Sequence, residues 1–146
     1  MELRQLTEGE NGSGASWLVR LDRGEEVLTT LTGLCRDRGI AAASLSGIGA
    51  VTDAELGYYD LAQFSYLTRS LEGIWELVSL TGNVALVDGE PFVHAHVSLG
   101  NRNLELLGGH LVKATVAVTV ELFLNTYEPA LVRSFDPEVK LNLLGP

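Results

Sequence analysis

The 146-residue chain has a single cysteine, Cys35, so no disulfide can form within it. Cations are scarce as well: ten Lys and Arg stand against nineteen Asp and Glu, for a net charge of −9 with the histidines neutral. The ten are Arg4, Arg20, Arg23, Arg36, Arg38, Arg69, Arg102, Lys113, Arg133 and Lys140, and nowhere do three lie together. Nucleic-acid affinity comes mostly from clustered Lys and Arg neutralising phosphates, so this composition argues against unaided DNA contact. No apolar run reaches the ~18 residues of a membrane span. The N-terminal "MELRQLTEGENGSG" has no apolar segment to serve as a signal peptide. The expected address is cytoplasmic, with no membrane partner. There is no internal repeat and no low-complexity tract, and prolines number only four. With 46% hydrophobic and 20% charged residues the composition is that of a globular protein. A chain of this length buries roughly 70% of its unfolded surface, so neither a metal nor a disulfide is needed merely to fold it. The expectation is a flexible N-terminus over residues 1–14 and one domain over residues 15–146.

What is present is a change of period. "SWLVRL" (16–21) alternates as a strand does. In "DRGEEVLTTLTGLCRDRGI", Val27, Leu28, Leu31, Leu34 and Cys35 then recur as the apolar stripe of a helix. Asp22 or Gly24 can start it, Glu25 and Glu26 suit its positive end, Arg36 and Arg38 its negative end, and Gly39 can stop it. Cys35 reads as a small core residue of that helix. From residue 40 onward the pattern is of strands, separated by turn signals at "TGN", "VDGEP" and "LGNRN". In "ATVAVTVELFL", Ala114, Val116, Val118, Val120, Leu122 and Leu124 share one face. "SGIGAV" (46–51) lacks the third glycine and the Gly-Lys-Ser ending of a phosphate loop and reads as a turn between strands. The sum is an α+β domain: a mainly antiparallel sheet of about seven strands with one main helix packed on it. One helix leaves apolar surface to be covered. Phe123 on the outward side of its strand, with Tyr58, Tyr59, Phe64, Tyr66 and Trp75 in mid-chain, points to self-association.

All three histidines fall within "HAHVSLGNRNLELLGGH" (94–110). On a strand, residues two apart project from one face, so His94 and His96 point together while Val93, Ala95 and Val97 turn towards the core. Buried imidazoles cost free energy unless their nitrogens find partners, and a metal is such a partner. Hairpin parity decides whether His110 joins them. A four-residue "GNRN" loop pairing Leu99 with Leu104 turns His110 to the opposite side. An odd loop, or a bulge at Gly108-Gly109, brings it onto the face of His94 and His96. Three neutral imidazoles with a fourth position open suit Zn²⁺ best, ahead of Ni²⁺, Co²⁺ or Fe²⁺. Glu105, Glu90, Asp88, Asn101 and Asn103 are the nearby groups able to orient the rings. No Ser-His-Asp or Cys-His grouping stands out, and the carboxylates between residues 22 and 76 show no paired acid and base spacing.

Taken in order, "GEEVLTTLTGLCRDRGI", "SLSGIGAV", "ELVSLTGNVALVDGEPFVHAHVSL", "LLGGHLVKATVAVTVELFL" and "ALVRSFDPEVKLNLL" resemble the plants-and-prokaryotes-conserved (PPC) domain from about residue 15 to 144. The most specific pieces are "ELVSLTGN", "DGEPFVHAH" and "GGHL". The resemblance implies an antiparallel sheet with a packed helix, assembled as a homotrimer, and histidines at the positions of His94, His96 and His110 placed to bind a metal, commonly zinc. It also implies the label of a DNA-binding protein. In plant members the domain is joined to an AT-hook, a basic arm for the minor groove, and this chain has no Arg-Gly-Arg-Pro-like arm.

Three functions compete on these grounds: a trimeric binding or regulatory module with a small ligand at its metal, a direct DNA-binding protein, and a metal-dependent enzyme. For the enzyme only Glu105 is nominated as a base near the metal. The "HAH" of a cupin is present, yet Gly100 and Asn101 stand where the cupin glutamate belongs. The charge makes the DNA reading the easiest to test. In a low-salt gel-shift series on AT-rich duplex, micromolar protein is expected to give no shift; a clear retarded band would reverse this conclusion.

Overall fold

The period change in the sequence becomes one helix, α1 (Val27–Arg38), set among strands. The structure, a computed structural model, describes residues 1–8 and 14–145. Glu26 caps α1: its carboxylate accepts hydrogen bonds from the backbone N–H of Leu28 (3.2 Å) and Thr29 (2.7 Å). It accepts a third from the N–H of Ala114 at 3.3 Å. Gly39 closes the other end in the left-handed conformation, with φ of 65°, where a Cβ is disfavoured. Neither Asp22 nor Gly24 starts the helix. The chain stays extended against the sheet through Gly24 N to Val116 O and Val116 N to Glu25 O, both 2.9 Å, so helical geometry begins only after residue 26. Asp22 instead holds the Met1 ammonium at 2.7 Å.

Seven strands form one sheet: β1 (Glu2–Thr7), β2 (Ser16–Asp22), β3 (Ala43–Asp60), β4 (Ser65–Leu71), β5 (Trp75–Val87), β6 (Glu90–Gly100) and β7 (Leu106–Thr126). Their order is β1-β2-β7-β6-β5-β3-β4, and every neighbouring pair is antiparallel. The long strands β3 and β7 also pair with each other, so β3, β5, β6 and β7 close into a ring. Strand β8 (Arg133–Asp136) and strand β9 (Leu141–Leu144) make a separate hairpin, taking the count beyond the seven or so strands expected. The α+β class stands. Inside the ring and under α1 lies one core. Val93, Ala95, Val97 and Leu99 of β6 share it with Leu122 and Leu124 of β7, Val19 and Leu21 of β2, and Leu31 of the helix. Each fully buried Leu or Val contributes roughly 1.5–3 kcal/mol. No described helix is long and apolar enough to cross a membrane.

Four local readings of the sequence are corrected. Residues 2–7, assigned to a flexible terminus, form β1 on the free edge of β2. This strand is almost wholly exposed and held by main-chain pairing, so it leaves no hydrophobic pattern to read. The rest of the supposed flexible stretch, residues 9–13, lies outside the described residues. "SGIGAV" is no turn but the middle of β3, pressed between β5 and β7: a Cβ on Gly47 would come 2.6 Å from the Glu121 carbonyl oxygen, and one on Gly49 2.2 Å from that of Thr119. "TGN" likewise runs through the middle of β5. Val118 leaves the inward face of β7 and is 65% exposed. The β3–β7 register slips between Val116 and Val120, and that slip breaks the alternation.

The Glu26 cap generates a stability prediction. Burial works to raise its pKa, but the hydrogen bonds from Thr29, Leu28 and Ala114 outweigh it and hold the carboxyl below its ordinary 4.5. Glu26→Ala is expected to cost about 1 kcal/mol in urea unfolding at neutral pH. A depressed carboxylate stabilises above its unfolded-state pKa and loses that contribution as pH falls through the folded-state value. The gap between wild type and variant is therefore expected to narrow below pH 4.5; a constant gap down to strong acid would show that the carboxylate charge is not what caps the helix.

Candidate metal centre

Strand β6 presents His94 and His96 on one face, while the residues between and beside them, Val93, Ala95 and Val97, are buried on the other. The β6–β7 hairpin then decides the position of His110. Its loop has five residues, Asn101 to Glu105, and is fastened by Asn101: the side-chain oxygen accepts from the N–H of Asn103 (2.9 Å) and Glu105 (3.0 Å), and the amide donates to the Glu105 carboxylate at 2.8 Å. Leu104 takes a left-handed φ of 65° to complete the turn. With this odd loop Gly100 pairs with Leu106 and His96 with His110, so His110 faces its partner on the same side of the sheet. The four-residue loop is excluded, and no bulge is used, because Gly108 and Gly109 pair regularly with Ser98 and Val97. Those glycines serve close approach instead. A Cβ on Gly108 would lie 2.9 Å from the Val97 carbonyl oxygen, and one on Gly109 3.0 Å from that of Gly57 in β3.

The three rings form a near-equilateral triangle, with centroids 5.1 Å (His94–His110), 5.2 Å (His94–His96) and 5.4 Å (His96–His110) apart. One nitrogen from each lies within 4.8 Å of the other two. A tetrahedral ion with bonds near 2.0–2.1 Å holds its ligand atoms about 3.4 Å apart, a closure that side-chain rotation supplies. The buried Nδ1 of His110 has no hydrogen-bond partner among the described residues, a costly state that a bound ion would relieve. Burial, then Arg133, then the neighbouring imidazoles push the His94 pKa down to about 4. Burial, followed by His96, lowers that of His110. Both rings are therefore neutral near pH 7, the form that ligates. The donor set fits a divalent metal.

None of the five orienting groups expected from the sequence bonds a ring. Glu105 is held by Asn101, and Glu90 faces Arg36 at 3.1 Å. Asp88 occupies the β5–β6 turn with φ of 51°. Asn101 and Asn103 are used within the loop. The structure brings in other residues that the sequence does not assign to the site, among them two of the aromatics read from the sequence as a self-association signal, Tyr59 and Tyr66. Arg133, at the start of β8, donates through Nη2 to Asn83 Oδ1 (2.8 Å) and approaches His94 Nδ1 at 3.1 Å. Asn83 sits directly opposite His94 in the β5–β6 register. Its neighbour Gly82 permits that closeness, since a Cβ there would meet the His94 carbonyl oxygen at 2.3 Å. Tyr66 lies 4.9 Å from the His110 ring and 5.0 Å from Tyr59, whose hydroxyl donates to the Val139 carbonyl at 2.6 Å. The guanidinium of Arg133 also lies 5.7 Å from the centre of the Phe92 ring. The C-terminal hairpin thus lies against the histidine site.

With fold and site in view, the comparisons with known proteins agree. The model of the Plants and Prokaryotes Conserved (PCC) domain matches residues 8–128, and the chain belongs to this family. A plant- and prokaryote-conserved (PPC) protein from Pyrococcus horikoshii is 36% identical, with a TM-score of 0.86 over 99% of this chain and 95% of that one. A protein from Archaeoglobus fulgidus, described as metal-containing, is 38% identical, with a TM-score of 0.85 over 92% of this chain and 95% of that one. A protein from Ralstonia eutropha JMP134 with a provisional DNA-binding description is 31% identical, with a TM-score of 0.83 over 96% and 94%. No curated protein matches the sequence.

The depressed His94 pKa sets a pH dependence for the metal-free protein. Between pH 6.5 and about 4 the unfolded chain protonates this imidazole while the folded state resists, so folding stability falls as pH drops across that window. Urea unfolding of metal-free wild type is expected to show this loss, and His94→Gln is expected to lose less over the same interval. Equal losses in the two proteins would mean that His94 is not desolvated.

Proposed function

We propose that this protein is a cytoplasmic, homotrimeric binding module whose His94, His96 and His110 hold one divalent metal ion, zinc by ligand type, with a coordination position left for a small ligand. The observation that carries the reading is the direct pairing of His96 with His110 across β6–β7, with His94 two residues along on the same face. Three nitrogen ligands are a complement suited to Zn²⁺ with an exchangeable fourth position. When bound, the ion would supply Lewis acidity to whatever occupies that position. A regulatory or binding role is the reading because the groups that lie against the rings are the Arg133 guanidinium and the Tyr66 ring.

Self-association is supported by an apolar strip on the outer face of the ring. Ile48, Val78, Val118 and Phe123 are each at least half exposed. Ile48 and Val78 line two adjoining grooves, one completed by Val118 and the other by Phe123. Continuous apolar surface of this kind on a charged chain marks a subunit contact, and the family resemblance implies three copies. Direct DNA binding draws no support from the arrangement of cations. Arg20 is paired with Glu2 and Asp22, Arg36 with Glu90, and Arg38 is stacked on Trp17.

Equilibrium dialysis with elemental analysis is expected to find one zinc per chain in wild type. His96→Ala and His110→Ala are expected to lose more affinity than the roughly 10–100-fold that an orienting residue outside the ligand set contributes. Wild-type retention by both variants would end the metal assignment. In sedimentation the wild type is expected to run as a trimer and Val118→Asp as a smaller species; an unchanged trimer would remove this strip from the interface.

A further inference from the structure

The contact between Arg133 and His94 bears directly on how an ion could enter the site, a consequence that rests on the metal-binding reading above. A neutral imidazole has one N–H and one lone pair. Arginine is always protonated and only donates, so at 3.1 Å its Nη2 uses the lone pair of His94 Nδ1 and leaves the ring proton on Nε2. In that state His94 has no nitrogen to offer an ion. If Nδ1 is to ligate, the guanidinium stands in the place of the metal. If Nε2 is to ligate, the ring proton moves to Nδ1 and faces another donor. Both routes break the Arg133–His94 contact, and repulsion between the ion and the guanidinium acts in the same direction.

Arg133 has other holds on the site besides His94: its Nη2 also donates to Asn83 Oδ1 at 2.8 Å, its Nη1 donates to the Asn142 carbonyl across the hairpin at 3.1 Å, and its guanidinium lies over Phe92. No carboxylate among the described residues pairs with it, and its Nε is buried without a partner. A divalent ion on three neutral rings beside this guanidinium concentrates positive charge that no protein group there offsets, although the chain as a whole carries −9. The fork of an arginine matches two oxygens of a carboxylate or phosphate, while one of those oxygens is also a ligand for a hard or borderline cation.

We propose that Arg133 and the divalent ion compete for His94, and that the displaced guanidinium together with the ion forms a receptor for a small oxyanion. Carboxylates and phosphates share the necessary chemistry, and the experiment separates them. Wild type, Arg133→Gln and Arg133→Lys are titrated with Co²⁺ in an oxyanion-free buffer and followed by visible absorption. Acetate or inorganic phosphate is then added to each cobalt-loaded protein, and far-UV circular dichroism checks each fold.

Arg133→Gln is expected to take up Co²⁺ about tenfold more tightly than wild type, the scale of one competing charge-assisted hydrogen bond. Wild type is expected to change spectrum at an acetate or phosphate concentration at least about tenfold below that required by Arg133→Gln, with Arg133→Lys between them. The more effective anion identifies the ligand class. Equal or weaker Co²⁺ binding by Arg133→Gln overturns the competition, and equal anion responses overturn the receptor. A wild type that takes up no Co²⁺ sinks the metal reading itself and this inference with it; one that binds Co²⁺ without dependence on Arg133 sinks only the inference.

Discussion

Parity of the β6–β7 hairpin is the constraint on which the site depends. Side chains alternate along a strand, so one residue more or less in the loop carries His110 to the far face of the sheet. The loop length is held by Asn101, whose side chain satisfies two backbone N–H groups and grips Glu105. An asparagine that touches no imidazole thereby determines which imidazoles meet. Its hydrogen bonds act through register, and the packing of Val97, Leu99 and Leu111 in the core makes any slipped register costly.

A second constraint is the closeness of the main chains. In the ring of β3, β5, β6 and β7, Gly47, Gly49, Gly82, Gly108 and Gly109 lie where a Cβ would strike a neighbouring carbonyl oxygen, most severely at Gly49 and Gly82. Close packing at Gly82 puts Asn83 opposite His94 and brings the amide within reach of Arg133. The electrostatic setting is a product of that packing. The site is lined by imidazoles, an amide, aromatic rings and one guanidinium, and no carboxylate among the described residues hydrogen-bonds these rings or the guanidinium. Burial and the positive neighbour together keep His94 unprotonated.

How much of the molecule is legible in the sequence depends on the range of the interactions. The helix is readable because Val27, Leu31, Leu34 and Cys35 repeat within a few residues and Gly39 ends the run. The pairing of His94 and His96 needs only strand alternation. Placing His110 requires the loop length, which the sequence leaves open between odd and even and which the structure shows to be five residues. The glycines mislead for a physical reason: Gly47 and Gly82 look like turn formers, yet they occupy extended strands where space, and not flexibility, excludes a side chain. Arg133 has no local signal at all. It reaches His94 across 39 positions through a hairpin whose own strands are only four residues long. Similarity to the family points to the fold and the histidines but carries no statement about this arginine.

The attachment of the C-terminal hairpin differs in kind from that of the ring. Among the described residues, 132–145 are joined to the remainder by one Leu86–Val132 bridge and by side-chain contacts at Asn83, His94, Phe92, Tyr59 and Phe64. The strand network is a fixed chassis in which the crowded glycine positions accept no side chain. The appended hairpin carries no buried side chain of its own, so a group that touches His94 is set on the part of the molecule with the least core behind it.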